Sequence, residues 1–135
     1  MTSSTPVSAC TACPLHVGSS PVPSLRAPAS GGLVVMLEQP SPREFATGTL
    51  DRRGLDLALE AAELDAATVA AMFWVKCRAT GGRLADAPFA IEACHRHRNP
   101  ELDAWQPSAV VLMGGQLVKD YFGAAASVSR VRGKP

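Results

Sequence analysis

Four cysteines are the residues with the most specific chemistry in this chain. Cys10 and Cys13 form a Cys-x-x-Cys pair beside Pro14, Cys77 follows the apolar run Met72-Phe73-Trp74-Val75, and Cys94 lies further on, with sixteen residues between it and Cys77. Thiols in such a pattern serve as disulfides, redox pairs, metal ligands or small buried hydrophobes. Disulfides are disfavoured, because Met1-Thr2-Ser3-Ser4-Thr5-Pro6 has neither the basic nor the apolar stretch of an export signal. A redox pair needs its Cys-x-x-Cys between a strand end and a helix start, whereas Pro14 and Gly18 put this one in irregular chain. A structural zinc site usually shows two close pairs, and only one is present. Iron-sulfur clusters accept dispersed thiolates, since the inorganic core supplies most of the geometry. The competing reading is that Cys77 and Cys94 are simply buried apolar groups. His16, His95 and His97 are alternative zinc donors, but read as surface or capping residues, with His95 to Arg98 in the last turn of a helix. Glu38 is a further candidate, a carboxylate just past an apolar run that can orient a water as general base; as a lone Glu it is equally a solvated loop residue.

Short apolar strands have to position these groups. Leu33 to Leu37 lies between Gly31-Gly32 and Pro40, and it reads as a strand buried on both faces. Met72 to Val75 and Ala109 to Met113 have the same character, so three buried strands imply a mainly parallel sheet. Helical spacing of Leu55, Leu59, Ala62 and Ala66 predicts a helix over Arg52 to Leu64. Asp86 as N-cap with Pro88 in the first turn predicts another over Ala87 to His97, and Gly114-Gly115 opens a last one through Phe122, closed by Gly123. The alternation gives an α/β fold, a three-layer α/β/α arrangement around a short, mainly parallel central sheet. Residues 1–32, rich in Pro, Ser and Gly, form a loop-rich segment carrying two of the cysteines, and 33–135 form the α/β domain. Ligands in such sheets bind beyond the carboxyl ends of the strands, which directs attention to Glu38 to Ser41, Lys76 to Arg78 and Gly114-Gly115.

Composition excludes other classes. With 47% hydrophobic residues and a formal net charge of +1 the 135-residue chain is not of disordered composition. No apolar run approaches the ~20 residues that cross a bilayer, so a cytoplasmic protein without a membrane partner is expected. Residues 1–70 hold four Arg and seven acids, and residues 71–135 nine Lys and Arg with five acids. A basic second half suits phosphate binding, although such an excess also makes an ordinary solvated surface.

The order of these pieces resembles the iron-sulfur uracil-DNA glycosylases, family 4 of that superfamily. Cys10-Thr11-Ala12-Cys13-Pro14-Leu15 is similar to the family's Cys-x-x-Cys-Pro-Leu, Val75-Lys76-Cys77-Arg78 to its Val-Lys-Cys-Arg, and Glu92-Ala93-Cys94 to its Glu-x-x-Cys helix. Pro107 to Gly114 resembles its Pro-x-x-Ile-Val-x-Leu-Gly strand, and Arg130-Val131-Arg132-Gly133 the Arg-Gly segment beyond. The resemblance implies one 4Fe-4S cluster held by Cys10, Cys13, Cys77 and Cys94. It also implies hydrolysis of the N-glycosidic bond of uracil in DNA, with Glu38 as the catalytic carboxylate, Gln39, Pro40 and Phe73 at the base-binding positions, and Arg78, Arg83 and Arg132 on DNA.

The pocket motifs depart from the family. Leu37-Glu38-Gln39-Pro40-Ser41 stands where the family has Gly-Glu-Ala-Pro-Gly, and the loss of both glycines alters how closely backbone can approach a base. Thr49-Leu50-Asp51-Arg52-Arg53-Gly54 lacks the family's stacking Phe, and Phe73 replaces the Asn that reads the uracil edge. The chain ends at Pro135, before the family's last strand and its His-Pro-Ser motif. Stacking is worth ~1 to 3 kcal/mol per base, so these losses together predict weak or absent excision. The expectation is a monomeric glycosylase-like protein acting in DNA base-excision repair on uracil-containing or single-stranded DNA. The alternatives are a catalytically silent DNA- or partner-binding module, with Arg78, Arg83, Arg96, Arg98, Arg130, Arg132 and Lys134 on phosphates, or a fragment of a longer glycosylase.

Overall fold

The computed structural model describes Cys10, Cys13, Leu15, residues 21–25 and residues 32–123. In chain order these form β1 (Leu33–Leu37), α1 (Pro42–Thr47), α2 (Arg53–Ala61), β2 (Val69–Phe73), α3 (Pro88–Ala93), α4 (His95–Trp105), β3 (Ala109–Met113) and α5 (Gly115–Phe122). All three strands are parallel, in the order β2-β1-β3, with Leu33 beside both Val69 and Ala109 and Leu37 beside both Phe73 and Met113. This is the expected α/β fold.

Strand periodicity sorts the core into two halves. Val34, Met36, Ala70 and Met72 pack with Trp74, Leu84, Ala90, Trp105 and Leu117, the side chains brought by the chain from β2 onward. Val35, Val69, Ala71 and Phe73 face the other way, against Leu50, Leu55 and Leu59 of the α1–α2 region and against Val22. Strands β1 and β2 are therefore covered on both faces. Part of the N-terminal segment is built into this body. Leu25 exchanges backbone hydrogen bonds of 2.8 and 2.9 Å with Ala71, the Val22 N–H donates to the Lys76 carbonyl at 2.7 Å, and Val22 has no exposed surface.

Several elements differ from the sequence reading. The strand expected at Met72 to Val75 runs from Val69 to Phe73, because Val69-Ala70-Ala71 pairs with β1. The helix expected over Arg52 to Leu64 stops at Ala61, and Ala66 lies in a separate 3-10 turn capped by Asp65. Asp86 is not an N-cap but ends a 3-10 turn, with Ala87 at the cap of α3. The helix expected to end near His97 breaks at Cys94 and resumes as α4 through Trp105, with Pro100 inside it. β3 is not buried on both faces. As an edge strand it leaves Val110, Val111 and Met113 37–48% exposed, because α2 lies over β1 and β2, and α5 covers only part of its other face. Helix α1 has no counterpart in the sequence reading, yet Ser41 and Glu44 form a complete capping box with Pro42 at the first helical position.

Candidate metal centre

The four cysteines line one cavity, together with Pro21, Val75, Lys76, Ala93 and His97. Cys77 follows β2, where its apolar neighbours Trp74 and Val75 extend the pairing with β1 through hydrogen bonds from Trp74 N–H to the Leu37 carbonyl and from Val75 N–H to that of Glu38. Cys94 sits at the junction of α3 and α4, its N–H bonded to the Ala90 carbonyl and its own carbonyl accepting from His97 and Arg98. Cys10 and Cys13 come from the leader. Cys77 and Cys94 are buried and the other two half-buried, and none of the four is in a disulfide. Among the described residues no group of three or more His, Cys, Asp and Glu side chains has the spacing to hold a single metal ion.

Burial is the largest influence on the Cys94 sulfur and disfavours a lone thiolate there, against three smaller effects that favour it. The Lys76 backbone N–H donates to the Cys94 sulfur, and the Arg98 and Lys76 charges lower the thiol's pKa; burial outweighs them and, with Cys13 nearby, pushes it above the ordinary cysteine range. Lys76 is 1% exposed, and its ammonium donates to Ser24 Oγ at 2.7 Å and pairs with Glu101 at 3.0 Å. Burial nonetheless holds that ammonium below its usual range. Burial, followed by the nearby Lys76 charge, lowers His97 as well, which keeps its ring neutral near pH 7.

Arg98, expected on the surface as a phosphate contact, has no exposed surface at all. Its guanidinium donates to the Trp74 and Ile91 carbonyls and lies 3.7 Å from the Trp74 ring centroid. It fastens α4 and α3 to the end of β2, and so sets Cys94 against Cys77. His97, also expected at the surface, is 5% exposed, and its Nε2 is buried without a partner.

The residues expected to handle a base are bound into the protein. Glu38 Oε1 accepts the Gln116 N–H at 2.7 Å in the first turn of α5, so the carboxylate ties β1 to that helix. Gln39 spans the loop after β2, accepting the Ala79 N–H and donating to the Gly82 carbonyl, both at 2.9 Å. Pro40 is buried, and its carbonyl accepts from Arg78 at 3.0 Å. Phe73, expected at the base-reading position, is 1% exposed in the core with Val22, Leu50 and Ala71. Arg83 is exposed beside Asp86, and Arg132, like Arg130, Lys134 and His16, lies outside the described residues. A separate open cleft between α3–α4 and α5 is lined by Trp74, Glu92, His95 and Tyr121 among others, and none of Glu38, Gln39, Pro40 or Phe73 reaches it. No helix among the described residues is long and apolar enough to cross a membrane. In comparison with known proteins the chain matches no family model and no curated protein.

The sequence reading named His97 only as an alternative zinc donor, placed at the surface, and missed Arg98 as part of this centre. The only signal was their place three and four residues after Cys94, on the helical face that Cys94 itself occupies.

Proposed function

We propose that this protein is a cytoplasmic uracil-DNA glycosylase-like domain that holds a 4Fe-4S cluster on Cys10, Cys13, Cys77 and Cys94, associates with DNA, and has weak or no glycosylase activity. One observation carries the cluster reading. Four cysteines from the leader, the β2 end and the α3–α4 junction line a single cavity, although up to 84 positions of sequence separate them. The donor set suits the group. Four thiolates complete a cubane's ligation, and such a cluster accepts sulfurs spaced more widely than the ~2.3 Å Zn–S bonds of one tetrahedral ion allow. When bound, the cluster supplies cross-linking, joining the leader to β2 and α3–α4.

Weak excision follows from what the chain's own residues do. The Glu38 carboxylate that would orient a water already accepts from Gln116, both the oxygen and the nitrogen of the Gln39 amide are engaged by Ala79 and Gly82, and Phe73 supports the core. An enzyme pays a few kcal/mol to extrude a nucleotide and recovers it by stacking and edge hydrogen bonds; Gln39 and Phe73 give neither. Of the cations proposed for DNA phosphates, Arg83 and Arg96 are exposed and Arg78 is partly exposed, so these three are available among the described residues.

The test uses anaerobically purified protein and a fluorescent single-stranded oligonucleotide containing one uracil. The reading predicts retention of the DNA that weakens steeply with salt, and little alkali-dependent cleavage. Efficient cleavage that disappears in Glu38→Gln would overturn the loss of activity, and absence of retention at low salt would overturn the DNA association.

A further inference from the structure

Among the described residues only two buried side-chain nitrogens lack a hydrogen-bond partner, His97 Nε2 and Arg98 Nε. Arg98 uses its other nitrogens on two carbonyls and a ring face. His97 is different, because it lines the cysteine cavity and its Nε2 is buried away from solvent without a partner. An unsatisfied buried polar nitrogen, whether it carries the proton or the lone pair, costs about 1 to 3 kcal/mol, and native interiors rarely tolerate it without a purpose. The other lining residues do not use it. Lys76 is engaged with Glu101 and Ser24, and Pro21, Val75 and Ala93 have no acceptor side chain.

Resting on the cluster reading above, we propose that His97 Nε2–H donates a hydrogen bond to a sulfur of the group held by the four cysteines. It would be the second such donor, beside the Lys76 backbone N–H on Cys94. Four thiolates around an iron-sulfur core make a net-negative group, and in an apolar cavity each N–H aimed at a sulfur stabilises the added electron of the reduced state. Hydrogen bonds to the sulfurs are one of the protein's main controls over cluster potential. His97 is thus a positioning and tuning residue, outside the set of ligands. A neutral ring serves this role better than a cation, since it donates without introducing a buried charge.

The experiment avoids disturbing His97 itself. The chain has three histidines, so a His16→Gln/His95→Gln protein retains His97 alone. It is grown with 15N-histidine, loaded anaerobically with iron and sulfide, reduced by irradiation in the frozen state, and examined by electron-nuclear double resonance. The expected result is a weak coupling to one 15N nucleus together with a proton coupling that vanishes when the protein is prepared in deuterium oxide. A loaded cluster with no histidine nitrogen coupling overturns the proposal and leaves the cluster reading standing. A protein that takes up no iron overturns both. In variants, His97→Leu should shift the cluster's reduction potential to more negative values and His97→Gln, which keeps an N–H donor, should restore most of the shift. Equal potentials in wild type and His97→Leu would contradict the hydrogen bond.

Discussion

Replacing Arg98 by Met separates a structural arginine from a DNA-binding one. Met approximates the aliphatic length of the side chain but donates nothing, so the Trp74 and Ile91 carbonyls lose their partners. Each orphaned acceptor costs ~1 to 3 kcal/mol. The cation stacked 3.7 Å over Trp74 contributes up to about 2 kcal/mol more. Relief works in the opposite direction, because burial disfavours the guanidinium charge and its Nε has no partner. Weighing these, Arg98→Met should destabilise the metal-free protein by about 3 kcal/mol, equivalent to roughly 10 °C in melting temperature for a chain of this size. Circular dichroism melts measure the shift, and iron uptake should fall with it, since Arg98 holds the Cys94 helix junction against the Cys77 loop. A surface arginine on phosphate would behave differently. The melt would stay within about 2 °C and the slope of DNA affinity against salt would drop by about one. That second pattern would refute the buried-strut assignment.

Two further outcomes follow from the same packing. Gly114 has φ +136° and a β-carbon there would collide with the Glu38 side chain, so Gly114→Ala should cost ~1 to 3 kcal/mol from strain and loosen the start of α5. Gly115→Ala, which meets open space, is the control and should leave the urea midpoint near wild type. Hydrogen bonds and charge from Arg53 hold the Asp51 carboxyl at about 2, against its ordinary 3.8. Its folded value lies below the unfolded one, so whatever the exposed pair contributes is present above pH ~3.9 and lost as pH falls towards 2. Carboxyl NMR should show that titration moving back towards 3.8 in Arg53→Ala, and an unchanged midpoint would contradict the pairing.

The sheet was largely legible because short apolar runs bounded by Gly and Pro can satisfy their backbone only by pairing, and Leu33–Leu37 and Ala109–Met113 matched to the residue. Boundaries failed where composition misled. Alanines at 70 and 71 gave the apolar block at Met72 no extension towards its N-terminal side, yet they pair in β2. Pro40 and Pro42 masked α1, whose Ser41–Glu44 capping box was the available signal. Burial failed where residue type gave the wrong prior. An arginine and a histidine in a polar helix read as solvated, and what overrides this for Arg98 is a set of carbonyls and a ring contributed by residues seven and 24 positions away. Phe73 could not be oriented until strand parity was known, and parity sends it to the face shared with Val22 and Leu50. The convergence of Cys10, Cys13, Cys77 and Cys94 was an expectation from their order alone, and tertiary pairing of residues 22–25 with β2 is what brings the leader to Lys76.

The most direct measurement is iron, acid-labile sulfide and zinc content of the full chain purified without oxygen, beside four single Cys→Ser variants. About four irons and four sulfides per chain with visible absorption from the sulfur-iron charge transfer are predicted, falling sharply in each of Cys10→Ser, Cys13→Ser, Cys77→Ser and Cys94→Ser. Colourless protein, one zinc in place of iron, or an iron content indifferent to any of the four cysteines would contradict it.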